Sequence, residues 1–196
     1  MSVRLLKRRF TVEEYERMGQ AGILSEDDRV ELIDGEIIEM APIGSRHAAV
    51  VSRLDDLLRP QGQPEVIVRV QNPLHADPHS EPQPDLMLVK RRDDYYTSAH
   101  PRGPDVLLVI EVADTTLEYD RRMKVPLYAR AGIPEAWIIA LPTDQVEVFR
   151  QPSAGGYRSV SKVRRGEVLS VEALPTVTMA VDQVLGEAPQ RADTSP

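Results

Sequence analysis

The sequence predicts an α/β fold, a mixed central sheet flanked by helices with an N-terminal helix and β-hairpin ahead of it. Three observations carry that prediction. The stretch "DVLLVIEVA", Asp105 to Ala113, is apolar on both faces, as a central strand covered from two sides must be. Behind it, "TTLEYDRRMKVPLYARAGIP" reads as a helix from about Thr116 to Ala131, stopped by Gly132 and Pro134. Earlier, "GSRHAAVVSRLDDLLRP" places Val50, Val51, Leu54, Leu57 and Leu58 on one helical stripe, which needs a sheet to lie on.

The remaining elements follow in chain order. Thr11 with Glu14 three residues on forms the reciprocal capping pattern of a short helix ending near Gly19 or Gly22. Asp34-Gly35 is the dipeptide of a tight hairpin turn, so Arg29 to Ile33 and Glu36 to Met40 are expected to pair antiparallel. Ser45 is the expected cap of the next helix and Pro60 its stop. Strands are expected at Glu65 to Val70, Asp85 to Val89 and Val106 to Val112, with a Pro- and His-containing loop and the polar "KRRDDYYTSAHPRGP" between them. Thr115, with Glu118 three residues later, is the expected cap of the following helix. "AWIIAL" and "QVEVFR" read as strands joined at Pro142 to Asp144, and Gly155-Gly156 turns into "YRSVSKV" and a loose C-terminal stretch. The expected organisation is one domain over residues 1–185 and a disordered tail over 186–196.

Composition limits the chemistry. With 196 residues, 41% hydrophobic and 28% charged, the chain can bury one core. It has no cysteine, which fits a cytoplasmic setting and leaves only carboxylates and histidines for a metal. The basic "MSVRLLKRRF" lacks the apolar core of a signal peptide, and no run reaches the roughly 20 apolar residues of a membrane span, so no membrane is expected as a partner. A net charge of −7 argues against a general phosphate-binding surface, although a locally basic groove is compatible with it.

One pair of charges stands out against this background. Strand alternation places Leu107, Val109, Glu111 and Ala113 on one face and Val106, Leu108, Ile110 and Val112 on the other, so Glu111 points into a buried layer. A carboxylate there is costly unless it is paired or bound to a metal. Lys124 falls in the middle of the apolar stripe of the next helix, where it must snorkel out or meet a negative group. Its partner is either Glu111 or, as an ordinary helical pair, Asp120 four residues earlier. Pro126 removes a backbone bond to Arg122 and is expected to kink the helix near Lys124. Asp85 follows a proline at the start of its strand, a position that also suits a plain turn residue. Two carboxylates on adjacent strands form a hard-oxygen site for Mg²⁺ or Mn²⁺, and a lysine beside them makes phosphodiester hydrolysis plausible. His47 either contacts this site or is a solvent-facing polar side chain in the first turn of its helix. Glu31 and Glu39 flank the hairpin turn. His75, His79 and His100 lack zinc-ligand spacing, and Tyr128 and Trp137 read as core.

The order Pro84-Asp85, Glu111-Val112-Ala113 and Lys124 resembles the PD-(D/E)XK nuclease superfamily in a variant whose lysine has moved from the strand to the next helix. "VELIDGEIIEMAP", His47, "PQPDLMLV", "LLVIEVADTT", "YDRRMKVPLYARAGIPEAWII" and "VEVF" resemble the bacterial Uma-two family of putative restriction endonucleases, from about Val30 to Phe149. The resemblance implies a restriction-endonuclease-like fold and DNA as substrate. It also implies Asp85, Glu111 and the Val112 carbonyl as ligands of Mg²⁺ or Mn²⁺, with Lys124 as the catalytic lysine and His47, Glu31 and Asp120 as accessory candidates. Ala113 departs from the pattern, since the superfamily carries lysine there. A homodimer would suit cleavage of two strands. The alternative is a non-catalytic interaction module that keeps the fold and its buried charges.

Overall fold

The computed structural model describes residues 7–25, 27–59 and 64–187. Helix α1 (Val12–Gln20) begins at Thr11, whose side chain and that of Glu14 cap each other's backbone N–H groups. Strands β1 (Val30–Ile33) and β2 (Glu36–Glu39) form the expected antiparallel hairpin. Its turn needs two left-handed residues, and Asp34 (φ 48°) and Gly35 (φ 78°) supply them. A bridge between Leu32 and Glu81 docks β1 on the loop that leads into the main sheet. Helix α2 (Ser45–Leu58) starts one residue earlier than expected: Gly44 rather than Ser45 is the boundary residue, its carbonyl accepts the Ala48 N–H, and among the described residues no side chain caps the helix. Pro60, the expected stop, lies outside the described residues.

Six strands form the central sheet in the order β3 (Val66–Val70), β4 (Leu86–Lys90), β5 (Val106–Ala113), β6 (Glu135–Ala140), β7 (Gln145–Ser153) and β8 (Gly156–Arg164). Only β5 and β6 are parallel, and a helical crossover joins them; every other neighbour is antiparallel. The sheet is therefore mixed, as expected. On one side, Val50, Leu54 and Leu58 of α2 pack on Leu108, Ile110, Val112 and Trp137. On the other, Val125, Tyr128 and Ile133 pack on Val109, Ala113 and Ile138.

Two expectations fail in instructive ways. Leu88 pairs with Leu108 but Val89 pairs with Val106, so Leu107 is an extra residue in β5. Upstream of that bulge the alternation reverses: Val106 joins the layer of Val109, and Leu107 packs toward α2. Glu111 lies downstream of it and keeps its predicted face. The supposedly loose C-terminal stretch is instead ordered as β9 (Val168–Val171), β10 (Leu174–Ala180) and α5 (Val181–Leu185). Leu169, Val171, Val177, Met179, Val181, Val184 and Leu185 complete the core on the α2 side. Of the expected disordered tail, residues 188–196 lie outside the described residues. Among the described residues no helix is long and apolar enough to cross a membrane.

Candidate active site

The crossover between β5 and β6 is what brings the charges together. It runs as α3 (Leu117–Tyr119), a π-helical turn over Asp120–Lys124, and α4 (Val125–Arg130). Thr116, not Thr115, is the boundary residue, and its hydroxyl donates to Asp120 Oδ2 at 2.8 Å instead of capping a backbone N–H. The Val125 N–H reaches back five residues to the Asp120 carbonyl, and Pro126 beside it has no N–H to give. The break expected near Lys124 is thus a widened turn, with both Asp120 and Lys124 buried at its ends.

Lys124 Nζ lies 3.1 Å from Glu31 Oε2 and 3.3 Å from Glu111 Oε1. The partner chosen from the two candidates is Glu111, and the hairpin adds Glu31 as a second. The Tyr128 hydroxyl donates to the same Oε1 of Glu111, and the Gln83 N–H donates to Glu31 Oε2 at 3.2 Å. Asp85 stands just before β4, where its Oδ2 accepts the Val112 N–H at 2.8 Å and contacts His47 Nε2 at 3.0 Å. Gln71 donates to its Oδ1 over a longer 3.4 Å. An extended strand sends the N–H and C=O of one residue off the same edge, so the Val112 carbonyl also faces Asp85.

These groups are deeply buried: Glu31 is 3% exposed, Glu111 4%, Asp120 4%, Lys124 5% and Asp85 8%. Burial sets their proton affinities. Loss of solvation pushes the Glu111 pKa up to about 8 against the pull of Lys124. Burial likewise raises Asp120, opposed by Lys124 and the Thr116 hydroxyl. Burial alone would discharge Lys124, but Glu111, Glu31 and Asp120 outweigh it and hold the ammonium protonated, with its pKa raised. Hydrogen bonding to Asp85 raises His47, while burial works against it. Among the described residues, the His47 Nδ1 and the Tyr119 hydroxyl are buried without a hydrogen-bond partner.

All seven predicted site residues, Asp85, Glu111, Val112, Lys124, His47, Glu31 and Asp120, line one cavity of about 440 Å³, and Glu39 stands at its mouth. Ala113 is fully buried in the same layer as Val109 and Tyr128. Tyr128 was read as core alone; it is core, and it also fixes Glu111. Its position four residues after Lys124 on the same stripe was the available signal. Among the described residues, no three His, Asp or Glu side chains are drawn together as a closed metal-ligand cluster.

A mixed six-stranded sheet flanked by helices, with one parallel pair joined by a helical crossover, is a nuclease-like α/β fold. The same architecture occurs in a crystal structure described as a putative nuclease belonging to DUF820 from Anabaena variabilis. The match has a TM-score of 0.69 at 14% identity and covers 90% of this chain and 97% of that one, a likeness of fold. The chain belongs to the Uma2 family, described as "Putative restriction endonuclease", which matches residues 12–182. No curated protein matches it.

Proposed function

We propose that the protein is a divalent-metal-dependent endonuclease that hydrolyses phosphodiester bonds of DNA. The observation that carries this reading is the buried lysine: Lys124 is held between Glu31 and Glu111, with Asp85 beside them, at the floor of one cavity. A fold that needed only packing would not gather five buried charges at one end of its central strand.

The donor set suits a hard cation. Glu31, Glu39, Asp85, Glu111, Asp114 and Asp120 line the cavity against two permanent cations, Arg29 and Lys124. A phosphodiester would be repelled from such a site unless a cation entered with it. Asp85, Glu111 and the Val112 carbonyl would hold Mg²⁺ or Mn²⁺, whose oxygen preference they match. A bound divalent ion would polarise a phosphoryl oxygen and ease deprotonation of water. Hydrolysis adds the hydroxyl of water to phosphorus, breaks one P–O ester bond and leaves the proton on the departing sugar oxygen. The Val112 N–H and His47 fix Asp85. Tyr128 and Lys124 both hold Oε1 of Glu111, so Oε2 is the oxygen available to a cation. Lys124, kept charged by Glu31, is placed to stabilise negative charge developing on the phosphoryl group or to orient the attacking water.

The test is cleavage of circular double- and single-stranded DNA with Mg²⁺ or Mn²⁺. Asp85→Ala, Glu111→Ala and Lys124→Ala are each expected to lower the rate by at least about a hundredfold. Cleavage by all three at the wild-type rate would sink the assignment. A second reading, a non-catalytic interaction module, draws on the buried ion pairs of Lys124 with Glu31 and Glu111, which a purely structural role would also use. It predicts no thermal stabilisation by Mg²⁺, whereas the nuclease reading predicts a shift that Asp85→Ala removes.

A further inference from the structure

We infer that the DNA strand this site accepts is unpaired, entering with one nucleotide's base against an apolar wall formed by Ile38, Met40, Ala41, Pro42 and Ile43. The inference rests on the nuclease reading and specifies its substrate class. Three features carry it.

The first is depth. Asp85, Glu111 and Lys124 are each less than a tenth exposed, so a phosphodiester reaches them only by descending into the cavity. At about 440 Å³ the cavity has the size of a small-molecule pocket and takes a nucleotide, not a duplex. A strand whose bases are paired and stacked on both sides cannot follow that path without first being opened, at a cost of a few kcal/mol.

The second is the wall. The segment between β2 and α2, "MAPIG", is apolar although it is open to solvent, and Ile43 is 42% exposed. The Arg29 guanidinium donates to the Ala41 carbonyl at 3.3 Å and fixes this segment over the acidic floor. An exposed apolar surface beside a charged floor suits a base with its sugar-phosphate directed downward, because every base presents an apolar face whatever its sequence.

The third is the rim. Exposed Glu39 and Asp114 stand at the mouth, where flanking phosphates of a bound duplex would pass. Duplex DNA carries one charge per about 1.7 Å of axis, and a single strand about half that density. The acidic rim therefore repels a duplex more strongly, and the chain's net charge of −7 offers no general compensation.

The experiment measures cleavage of one labelled oligonucleotide, free and in a blunt duplex, by the full chain in Mg²⁺ and in Mn²⁺. The single strand should be cut at least about tenfold faster, the equivalent of one base-stacking contribution. Ile43→Asp should raise KM on the single strand about tenfold with little change in kcat and in melting temperature. Equal rates on the two substrates, or an unchanged KM in Ile43→Asp, overturn the inference and leave the nuclease reading standing. Absence of cleavage of either substrate removes the nuclease reading and this inference with it.

Discussion

The two faces of β5 are made by the same short run of residues and hold opposite contents. Toward α2, Leu108, Ile110 and Val112 meet Val50, Leu54 and the C-terminal strands in a layer of apolar side chains. Toward the crossover, Val109 and Ala113 meet Tyr128, but Glu111 between them meets a lysine. Each fully buried aliphatic side chain on the first face contributes roughly 1.5–3 kcal/mol. On the second face the desolvation of Glu111, Glu31 and Lys124 offsets much of their mutual attraction. The fold can carry that costly face because the other one is purely apolar. One face is thus apolar throughout, and the other combines apolar packing with a buried cluster of charges.

The largest expected effect breaks the charged face. Lys124→Met leaves Glu31 and Glu111 buried without their cation and should lose about 3–5 kcal/mol in denaturant unfolding. Adding Glu31→Gln and Glu111→Gln should restore most of it, and a triple variant as unstable as the single one would show that packing, not charge, was lost. Slightly smaller is the apolar face: Ile110→Ala should cost about 2–5 kcal/mol while leaving cleavage per folded molecule unchanged. A fall in cleavage comparable to that of Asp85→Ala would mean the two faces are not independent.

Glu81 sharpens the comparison, being a buried carboxyl with no cationic partner among the described residues. Its Oε2 likewise finds no hydrogen-bond partner among them, and burial, with nearby Glu16, pushes its pKa up to about 7. The unfolded chain ionises it near 4.5, so the native state binds the extra proton between these values and stability falls as pH rises from about 4.5 to 7. Glu81→Gln should therefore raise the melting temperature at pH 8, by the equivalent of about 1–3 kcal/mol, and change little at pH 4. A benefit equal at both pH values would refute the ionisation account. Smallest of all, Thr11→Ala removes the cap of α1, which belongs to neither face. It should cost about 1 kcal/mol of stability with no change in cleavage.

Local chemistry made much of the fold legible in the sequence. Thr11 and Glu14 cap within one turn, Asp34-Gly35 closes a hairpin on itself, and the apolar run of β5 reports burial on both sides. Strand alternation and helix angle, each a short-range periodicity, suffice to place Glu111 in a buried layer and Lys124 on the apolar stripe of the helix that covers it. The caps at Ser45 and Thr115 were each placed one residue off, because neighbouring residues offered equivalent local signals. The short strands β9 and β10 gave little periodicity to read, and a register shift between Leu174 and Thr178 interrupts it further.

The sequence by itself determined that Glu111 would point into a buried layer and that Lys124 would lie on the apolar stripe of the covering helix, leaving Glu111 and Asp120 as its two candidate partners. Only the tertiary structure decided which other groups join them. Glu31 reaches Lys124 because the Leu32–Glu81 bridge docks the hairpin beside the sheet, and Asp85 is oriented by a backbone N–H of the neighbouring strand and by His47 of α2. Tyr128, one turn beyond Lys124 in α4, adds its hydroxyl to Glu111 once the crossover has packed on β5. Periodicity acts over a few residues of chain. Contacts between distant segments depend on register, bulges and packing, which form only when the whole sheet closes.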